Sequence, residues 1–347
     1  MPIPILKLPY TALQCLVQQF EPIDIIHLYT TSKAFSTLIA HHKILVDRLE
    51  FRVTDDTFLV KWNDLEMKVW LRKYMDPYGP GVRLESKAQE EAINLKVDEK
   101  LTGFEKVQKV LERVLPILVV QIFDFNFCTS LPIRPRDLFI WKISKKFENF
   151  SITSSSRFNL RLTPEDFHFF LGEIRAQNLT LDVLASKKFL YKKPLRASTI
   201  TLGNINWLKL NFQTMMTWDC STAHFLYLAL TGPQMNDFLR TWLRSENVTF
   251  LHFQPIPALN FDRDAVFERI RRGEIVEERN VLVSIVGYPP SEGVEKILRR
   301  RGDGMEARVL VNRFGFVFEV LEEKEEDEQE DEQEDEEDEE EEEEGDN

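Results

Sequence analysis

Beyond residue 100, short apolar runs of strand character alternate with longer segments whose apolar residues recur every three or four positions. The expected strands are residues 119–125, 150–153, 179–183, 199–202, 225–230 and 248–253. The expected helices are residues 136–147, 164–176, 206–218 and 234–245. This alternation restricts the body of the chain to an α/β fold, in which strands start every twenty to thirty residues.

One strand–helix unit of this body is present twice. Thr163 opens the segment Thr-Pro-Glu-Asp-Phe-His-Phe-Phe-Leu ahead of Asn178, and Thr231 opens Thr-Gly-Pro-Gln-Met-Asn-Asp-Phe-Leu ahead of Asn247, at offsets of 68 and 69 residues. We expect the threonines at helix N-caps and the asparagines at turns into strands. Short, duplicated units favour a leucine-rich-repeat-like strand–helix array. A doubly wound sheet has the same alternation and stays an alternative.

Residues 8–39 are predicted to form three short helices. The first has an apolar face, because Leu13, Leu16, Val17 and Phe20 fall at helical spacing. A proline opens the second helix at its first position, and Ser32 is expected to cap the third. A unit of fewer than about 40 residues does not enclose its own apolar side chains, so part of this face is expected to bind a partner. A helical cap packed on the next domain stays the alternative.

The charge of the chain is divided between body and tail. Residues 322–347 hold 21 acidic residues and one lysine, a charge of −20. Since the net charge of the whole chain is −14, residues 1–321 carry +6. So acidic a run cannot bury apolar surface, and we expect a disordered tail. The arginines at 269, 271, 272 and 299–301 are expected on solvated faces, and a body charge of +6 is too thin to favour a nucleic-acid partner.

Cysteine usage and hydropathy indicate the compartment. The three cysteines are far apart and odd in number, which argues against a disulfide framework and fits a reducing environment. The chain starts without a basic and apolar leader, and no apolar run is long enough to span a bilayer. We therefore expect a cytoplasmic and/or nuclear protein without a membrane partner. The glycosylation sequons at Asn149, Asn178 and Asn247 are interpreted as chance matches.

No motif in the chain predicts catalysis. The six histidines lack metal-ligand partners at fixed intervals, and no glycine-rich phosphate loop is present. We predict no catalytic residue, no cofactor and no metal site, and hence a binding protein. An enzyme whose site is not visible in the sequence stays an alternative.

The N-terminal segment resembles an F-box in its residue order. Leu8-Pro9 is followed by Val17, by Glu-Pro-Ile-Asp-Ile-Ile at residues 21–26, by Leu28, and by Thr-Ser-Lys ahead of Phe35. In that family the motif binds a Skp-type adaptor, which links the protein to a cullin–RING ubiquitin ligase. The resemblance implies the following adaptor-facing or module-shaping residues: Leu8, Pro9, Val17, Pro22, Ile25, Leu28 and Ser32. Thr31 and Phe35 depart from the valine and tryptophan common in the family.

Residues 230–251 look like the F-box-associated domain of the nematode F-box families, and residues 298–318 are similar to its closing hairpin. These resemblances imply a non-catalytic, substrate-recognition subunit of an SCF (Skp–cullin–F-box) ligase whose C-terminal domain binds a protein substrate that the sequence does not identify. The alternatives are a scaffold without ligase recruitment and an acidic-tailed binder of basic proteins.

The combined prediction is an α/β protein in four parts. Residues 1–48 form a three-helix F-box module, and residues 49–103 form a hairpin, with strands at 49–53 and 58–62, and a linker. Residues 104–321 form the leucine-rich-repeat-like F-box-associated domain, and residues 322–347 form the disordered acidic tail. Within the second part, residues 85–100 are charged enough to be a linker or an exposed helix.

Overall fold

The computed structural model describes most of the chain ahead of the acidic tail. The described residues are 8–39, 43–71, 82–87, 91–95, 97–98, 100–131, 133–154, 160–187, 191–203, 212–245, 252–257, 262, 264–283 and 289–321. The predictions made for the tail, for the sequon at Asn247 and for residues 248–251 lie outside them.

Helices and strands follow one another along the described chain. The helices are α1 Tyr10–Val17, α2 Pro22–Thr31, α3 Lys33–Ile39, α4 Gly103–Val114, α5 Pro164–Gly172, α6 Phe212–Met215 and α7 Gly232–Trp242. The strands are β1 Ile44–Val53, β2 Thr57–Trp62, β3 Leu65–Trp70, β4 Val82–Ser86, β5 Glu91–Leu95, β6 Leu118–Cys128, β7 Lys146–Thr153, β8 Arg161–Leu162, β9 Arg175–Asp182, β10 Leu184–Ala185, β11 Thr199–Gly203, β12 Thr222–Leu230, β13 His252–Pro257, β14 Ile275–Val283, β15 Ser291–Arg299, β16 Glu306–Asn312 and β17 Gly315–Leu321.

One mixed sheet of fifteen strands organises the molecule, in the order β14-β15-β16-β17-β13-β12-β11-β9-β7-β6-β1-β2-β3-β4-β5. Its middle is parallel, from β13 through β12, β11, β9, β7 and β6 to β1. Its two ends are antiparallel, β2 to β5 on one side and β14 to β17 on the other. The short strands β8 and β10 pair separately.

The fold-class prediction, a three-helix module followed by a leucine-rich-repeat-like strand–helix array, is wrong. A large mixed sheet dominates the described chain, and its helices are few. Residues 136–147, predicted as a helix, form 3₁₀ turns at Pro135–Asp137 and Phe139–Lys142 and then enter β7. Leu138 and Ile140 are both buried there. Two buried residues at a two-residue spacing do not share one face of an α-helix.

The three N-terminal helices do not stand as a separate module. Ile23, Ile25 and Ile26 of α2 are buried, and α2 contacts α4, β4 and β5. A segment this short cannot enclose its own apolar face, and the body supplies the cover that it lacks.

The prediction for residues 85–100, a linker or exposed helix, is also wrong. The described part of this segment holds the end of β4 and all of β5. In β4, Val82, Leu84 and Ser86 are buried while Arg83 and Glu85 are half-buried on the other face. This two-residue alternation is a strand pattern, and the charges on its outer face hide it in the sequence.

Several other local predictions are confirmed, and one, for Asn178, is wrong. β1 and β2 form the predicted hairpin, with Leu49 opposite Trp62. Strands β6, β7, β9, β11 and β12 each overlap a predicted strand. Thr163 and Thr231 both cap helices: each hydroxyl accepts a hydrogen bond from the N–H three residues on, and that residue's side chain accepts from the threonine N–H. Asn178 lies inside β9, so its predicted place at a turn is wrong.

The core lies where the parallel strands face the helices. A row of adjacent, fully buried side chains crosses β6, β7, β9, β11 and β12 through the paired positions Phe127, Ile152, Leu181, Leu202 and Phe225. Around β6 and β7 the core is aromatic, with rings in contact from Phe125 and Phe150 to Trp141. The other face of the same strands has a different chemistry.

Candidate functional site

The residues of the F-box resemblance are divided between core and surface. Val17 and Ile25 are buried in the chain's own core, each 3% exposed. Leu8, Pro22, Leu28 and Ser32 are half-buried, and Pro9 is exposed. Val17 and Ile25 therefore shape the helical segment, and the accessible members of the set lie at its start and along α2.

Local chemistry explains how this segment ends its helices. Pro22 opens α2, where its missing N–H is not needed. Ser32 ends α2 through its own N–H, which donates to the Leu28 carbonyl at 3.0 Å. The Ser32 hydroxyl accepts from the Phe35 N–H at 3.4 Å, so its predicted role as a cap of α3 is confirmed. The accessible residues are thus held on short, defined helices.

The face of the parallel strands opposite the core is polar. The paired positions Asn126, Ser151, Thr180, Thr201 and His224 form a half-buried row across β6, β7, β9, β11 and β12. Parallel sheets are usually apolar on both faces because helices cover both. A polar face on five parallel strands is therefore a candidate surface for a protein partner.

A hydrogen-bonded ladder organises one end of this polar face. Asp124 on β6 accepts from the Arg48 guanidinium on β1 and from both the backbone and side-chain N–H of Asn149 on β7, each of the latter at 3.0 Å. Asn149 Oδ1 accepts from the Asn178 amide on β9 at 2.9 Å. The two sequon amides are thus half-buried members of a structural ladder, and the sequence missed it because its members lie 25 to 76 residues apart.

Asp124→Ala is expected to lower the free energy of unfolding by about 1–2 kcal/mol, because it leaves the backbone and side-chain N–H groups of Asn149 without their acceptor and leaves Arg48 with Glu148 as its remaining partner. Urea denaturation of the full chain measures this. Ser151→Ala, on the same face of β7, is the matched control and should change stability by less than about 0.5 kcal/mol. Equal effects of the two substitutions would show that the ladder does not stabilise the sheet.

A cavity of about 490 Å³ opens on the helical face of the sheet, between the start of α4, the 3₁₀ turns ahead of β7, and α5. Its lining residues are Phe104, Glu105, Gln108, Arg136, Asp137, Leu138, Phe139, Trp141, Lys142, Lys145 and Phe169. Four of them are aromatic, and three are cations. Aromatic side chains and arginine are enriched where proteins bind partners tightly.

The aromatic floor of the cavity continues into the core. Trp141 packs edge-on against Phe125 at 4.9 Å and against Phe169 at 5.7 Å between ring centroids. The Trp141 indole N–H donates to the Pro135 carbonyl at 2.9 Å. Phe104 and Phe139 both contact the buried ring of Phe58. These contacts fix the orientation of the rings that the cavity exposes.

The arginine cluster at 299–301 is ion-paired, and one of its members is buried. Arg299 pairs with Glu306, and Arg301 pairs with Glu274. Arg300 is 1% exposed, pairs with Asp303, and lies 5.2 Å from the ring centre of Trp242. The expectation of solvated arginines is therefore wrong for Arg300. An arginine flanked by arginines gives no sequence signal of burial.

Two buried groups of the described chain, Cys220 and Tyr191, have raised pKa values. Burial, with a smaller contribution from Asp219, raises the pKa of Cys220 to about 12, so this thiol stays protonated at neutral pH. Burial raises the pKa of Tyr191 to about 12, and its hydroxyl donates to the Leu171 carbonyl. In both cases burial disfavours the charged form of the side chain, as expected for a residue of the core.

Comparison with known proteins gives no match: no protein-family model, no curated protein and no solved structure is similar to this chain. Among the described residues, no cluster of histidine, cysteine, aspartate and glutamate could hold a metal ion. In the same part of the chain, no helix has the length and apolar character needed to cross a membrane.

Proposed function

We propose that this chain is a substrate-recognition subunit of an SCF ubiquitin ligase. Residues 8–39 bind the Skp-type adaptor and through it a cullin–RING ligase, and the body binds a protein substrate. The protein itself is non-catalytic, because the ubiquitin transfer is performed by the recruited partners. It acts inside the cell, in the cytoplasm and/or the nucleus.

One observation carries this proposal. The residues with F-box-like order lie on short helices that are anchored to the body by Ile23, Ile25 and Ile26, while Leu8 and Pro9 remain accessible at the start of the segment. An anchored segment with accessible apolar residues can bind a second protein without losing its own structure. Burial of such a side chain contributes about 1.5–3 kcal/mol, before the cost of association.

The body offers surfaces that are separate from this segment. The helical segment contacts α4, β4 and β5 at one end of the sheet. The polar row lies on strands β6 to β12, away from these elements. The aromatic cavity lies between the start of α4, the turns ahead of β7 and α5, so α4 contacts the helical segment and also lines the cavity. Adaptor and substrate would bind different residues of the chain, as a receptor subunit requires.

The test is retention of a purified Skp-type adaptor by the full-length protein. Leu8→Ala combined with Pro9→Ala is expected to weaken adaptor binding by about tenfold or more, because it removes accessible apolar surface. Both positions lie outside the core, so the variant should keep its unfolding transition. Gln18→Ala with Gln19→Ala, two exposed neighbours, is the matched control and should bind like the wild type.

Failure of the wild-type protein to bind the adaptor would overturn the proposal. The alternative function, a protein-interaction scaffold that does not recruit a ligase, would then remain. Wild-type binding by the Leu8 and Pro9 double variant would overturn the assignment of the site. Val17 and Ile25 are unsuitable test positions, because their substitution would damage the core before it reported on the adaptor.

A further inference from the structure

We propose that the cavity between α4 and α5 binds a short acidic peptide segment that presents one aromatic or aliphatic side chain. Peptide binding in this cavity goes beyond the proposed function. The further statement that the cavity is the substrate site rests on the proposed function, because only a ligase receptor would use the cavity to select proteins for ubiquitination.

The floor of the cavity suits one apolar side chain. Phe104, Phe139, Trp141 and Phe169 are half-buried, and each leans on rings of the core. Rigid, partly exposed rings bind an apolar group without losing much rotamer entropy. A volume of about 490 Å³ lies in the range of sites that take a small ligand or a few side chains.

The rim of the cavity selects negative charge. Arg136 and Lys142 are exposed, and neither forms a hydrogen bond or an ion pair with a described residue. Lys145 is held by Glu173 at 2.6 Å. Arg136 and Lys145 lie 5.5 and 5.6 Å from the ring centre of Phe169, so positive charge borders the aromatic floor. A carboxylate beside the apolar side chain can reach Arg136 or Lys142.

One of the two acidic residues of the lining is already engaged in a helix cap. The Glu105 carboxylate accepts from the Thr102 backbone N–H and hydroxyl, each at 2.8 Å, and these bonds hold the pKa of Glu105 below its usual value. Asp137 is exposed and lies 4.0 Å from Arg134, whose closer partner is Asp166 at 3.0 Å. Glu105 is therefore held by its cap, and Arg136 and Lys142 are the lining cations that form no ion pair with a described residue.

The same charges argue against a polyanion. Three cations and two carboxylates line the cavity, so a dense run of negative charge would also meet Glu105 and Asp137. The acidic tail, residues 322–347, has no apolar side chain to place on the aromatic floor. A nucleic acid could stack on the rings, but it normally needs a broad basic stripe along its backbone. A partner peptide with one or two carboxylates fits both floor and rim.

The experiment is selection of a displayed library of random nine-residue peptides on the full-length protein, followed by affinity measurements with the selected sequences labelled by fluorescein. We expect enrichment of peptides that combine an acidic residue with an aromatic or large aliphatic one. Arg136→Glu with Lys142→Glu should weaken these peptides by about tenfold or more. Arg244→Glu with Lys187→Glu, exposed cations outside the cavity, is the matched control and should bind like the wild type.

Enrichment without acidic residues, or equal affinity for the charge-reversed protein, would overturn the proposal. Stronger binding of a labelled oligothymidylate than of the selected peptides would assign the cavity to nucleic acid instead. A tenfold gain in peptide affinity on deletion of residues 322–347 would make the tail the resident occupant. Measurements of adaptor binding separate the two proposals. If the charge-reversed protein loses the peptides but still binds the adaptor, the cavity and the adaptor site are independent. If the wild-type protein binds the peptides but not the adaptor, only the ligase role is overturned.

Discussion

Phe150→Ala is expected to lower the free energy of unfolding by about 3–5 kcal/mol, the range for removing a buried aromatic side chain. Phe150 on β7 is 1% exposed, and its ring contacts four others at centroid distances of 5.3 to 6.0 Å. These rings are Phe125, Phe147, Phe170 and Trp141. They come from two strands, a 3₁₀ turn and α5, so the gap left by alanine cannot close by the movement of one side chain.

Guanidinium denaturation of the full chain measures this effect. Proteins of this kind are stable by about 5–15 kcal/mol, so the substitution removes a large part of the total. The control is Phe314→Ala in the turn between β16 and β17, where the ring is half-buried and lies 4.4 Å from Arg313. We expect a loss of about 1 kcal/mol or less there. Equal losses at both positions would contradict an aromatic core centred on β7.

The same substitution links the core to the cavity. Trp141 packs against both Phe150 and Phe169, and both Trp141 and Phe169 line the cavity. A protein that remains folded after Phe150→Ala should therefore bind the selected acidic peptides more weakly, because their aromatic floor is less rigid.

What the sequence predicts well is local. The runs at 119–125 and 150–153 identify β6 and β7, and the threonines at 163 and 231 identify helix starts, because each signal lies within a few adjacent residues. The arrangement of the strands is not local. β1 pairs with β6, 74 positions away along the chain, so the sequence pattern cannot show that the hairpin extends the parallel sheet. This is why a mixed sheet was not expected.

The candidate sites show the same division. The F-box-like order locates a helical segment, but it does not show that Val17 and Ile25 face the chain's own body. The cavity combines residues of α4, of the turns at 135–142 and of α5, which the sequence separates by more than 60 positions. Its aromatic residues are visible in the composition, while their convergence depends on the order of β6 and β7 in the sheet.

Asp303→Ala is the second large effect that we expect, a loss of about 2–4 kcal/mol, because it leaves the buried guanidinium of Arg300 without a counterion. The value is below that of a fully buried pair, since the Asp303 side chain is 41% exposed. Arg300 Nε donates to Asp303 Oδ1 at 2.8 Å, and the guanidinium lies against Trp242 of α7. The pair therefore joins the turn between β15 and β16 to the helical face.

A double variant separates the charge effect from a packing effect. Arg300→Met combined with Asp303→Ala removes both charges and keeps apolar contact with Trp242. We expect it to be more stable than Asp303→Ala alone, because an apolar side chain replaces an unpaired buried cation. Urea denaturation of the three proteins gives the comparison. A double variant less stable than Asp303→Ala would show that Arg300 stabilises the hairpin by contacts that do not involve its charge.

The pH dependence of the pair has a definite sign. Hydrogen bonds from Arg300, with a smaller contribution from the Met305 N–H, lower the pKa of Asp303 from 3.8 to about 2. The folded state then binds this proton less readily than the unfolded state, so the stabilisation is complete above about pH 4 and is lost as the pH falls towards 2. Asp303→Asn lacks this titration, whereas every other acidic group, including those of the tail, titrates in both proteins. The difference in unfolding free energy between the wild type and Asp303→Asn should therefore shrink between pH 4 and pH 2. A difference that stays constant over this range would mean that Asp303 does not form the ion pair in solution.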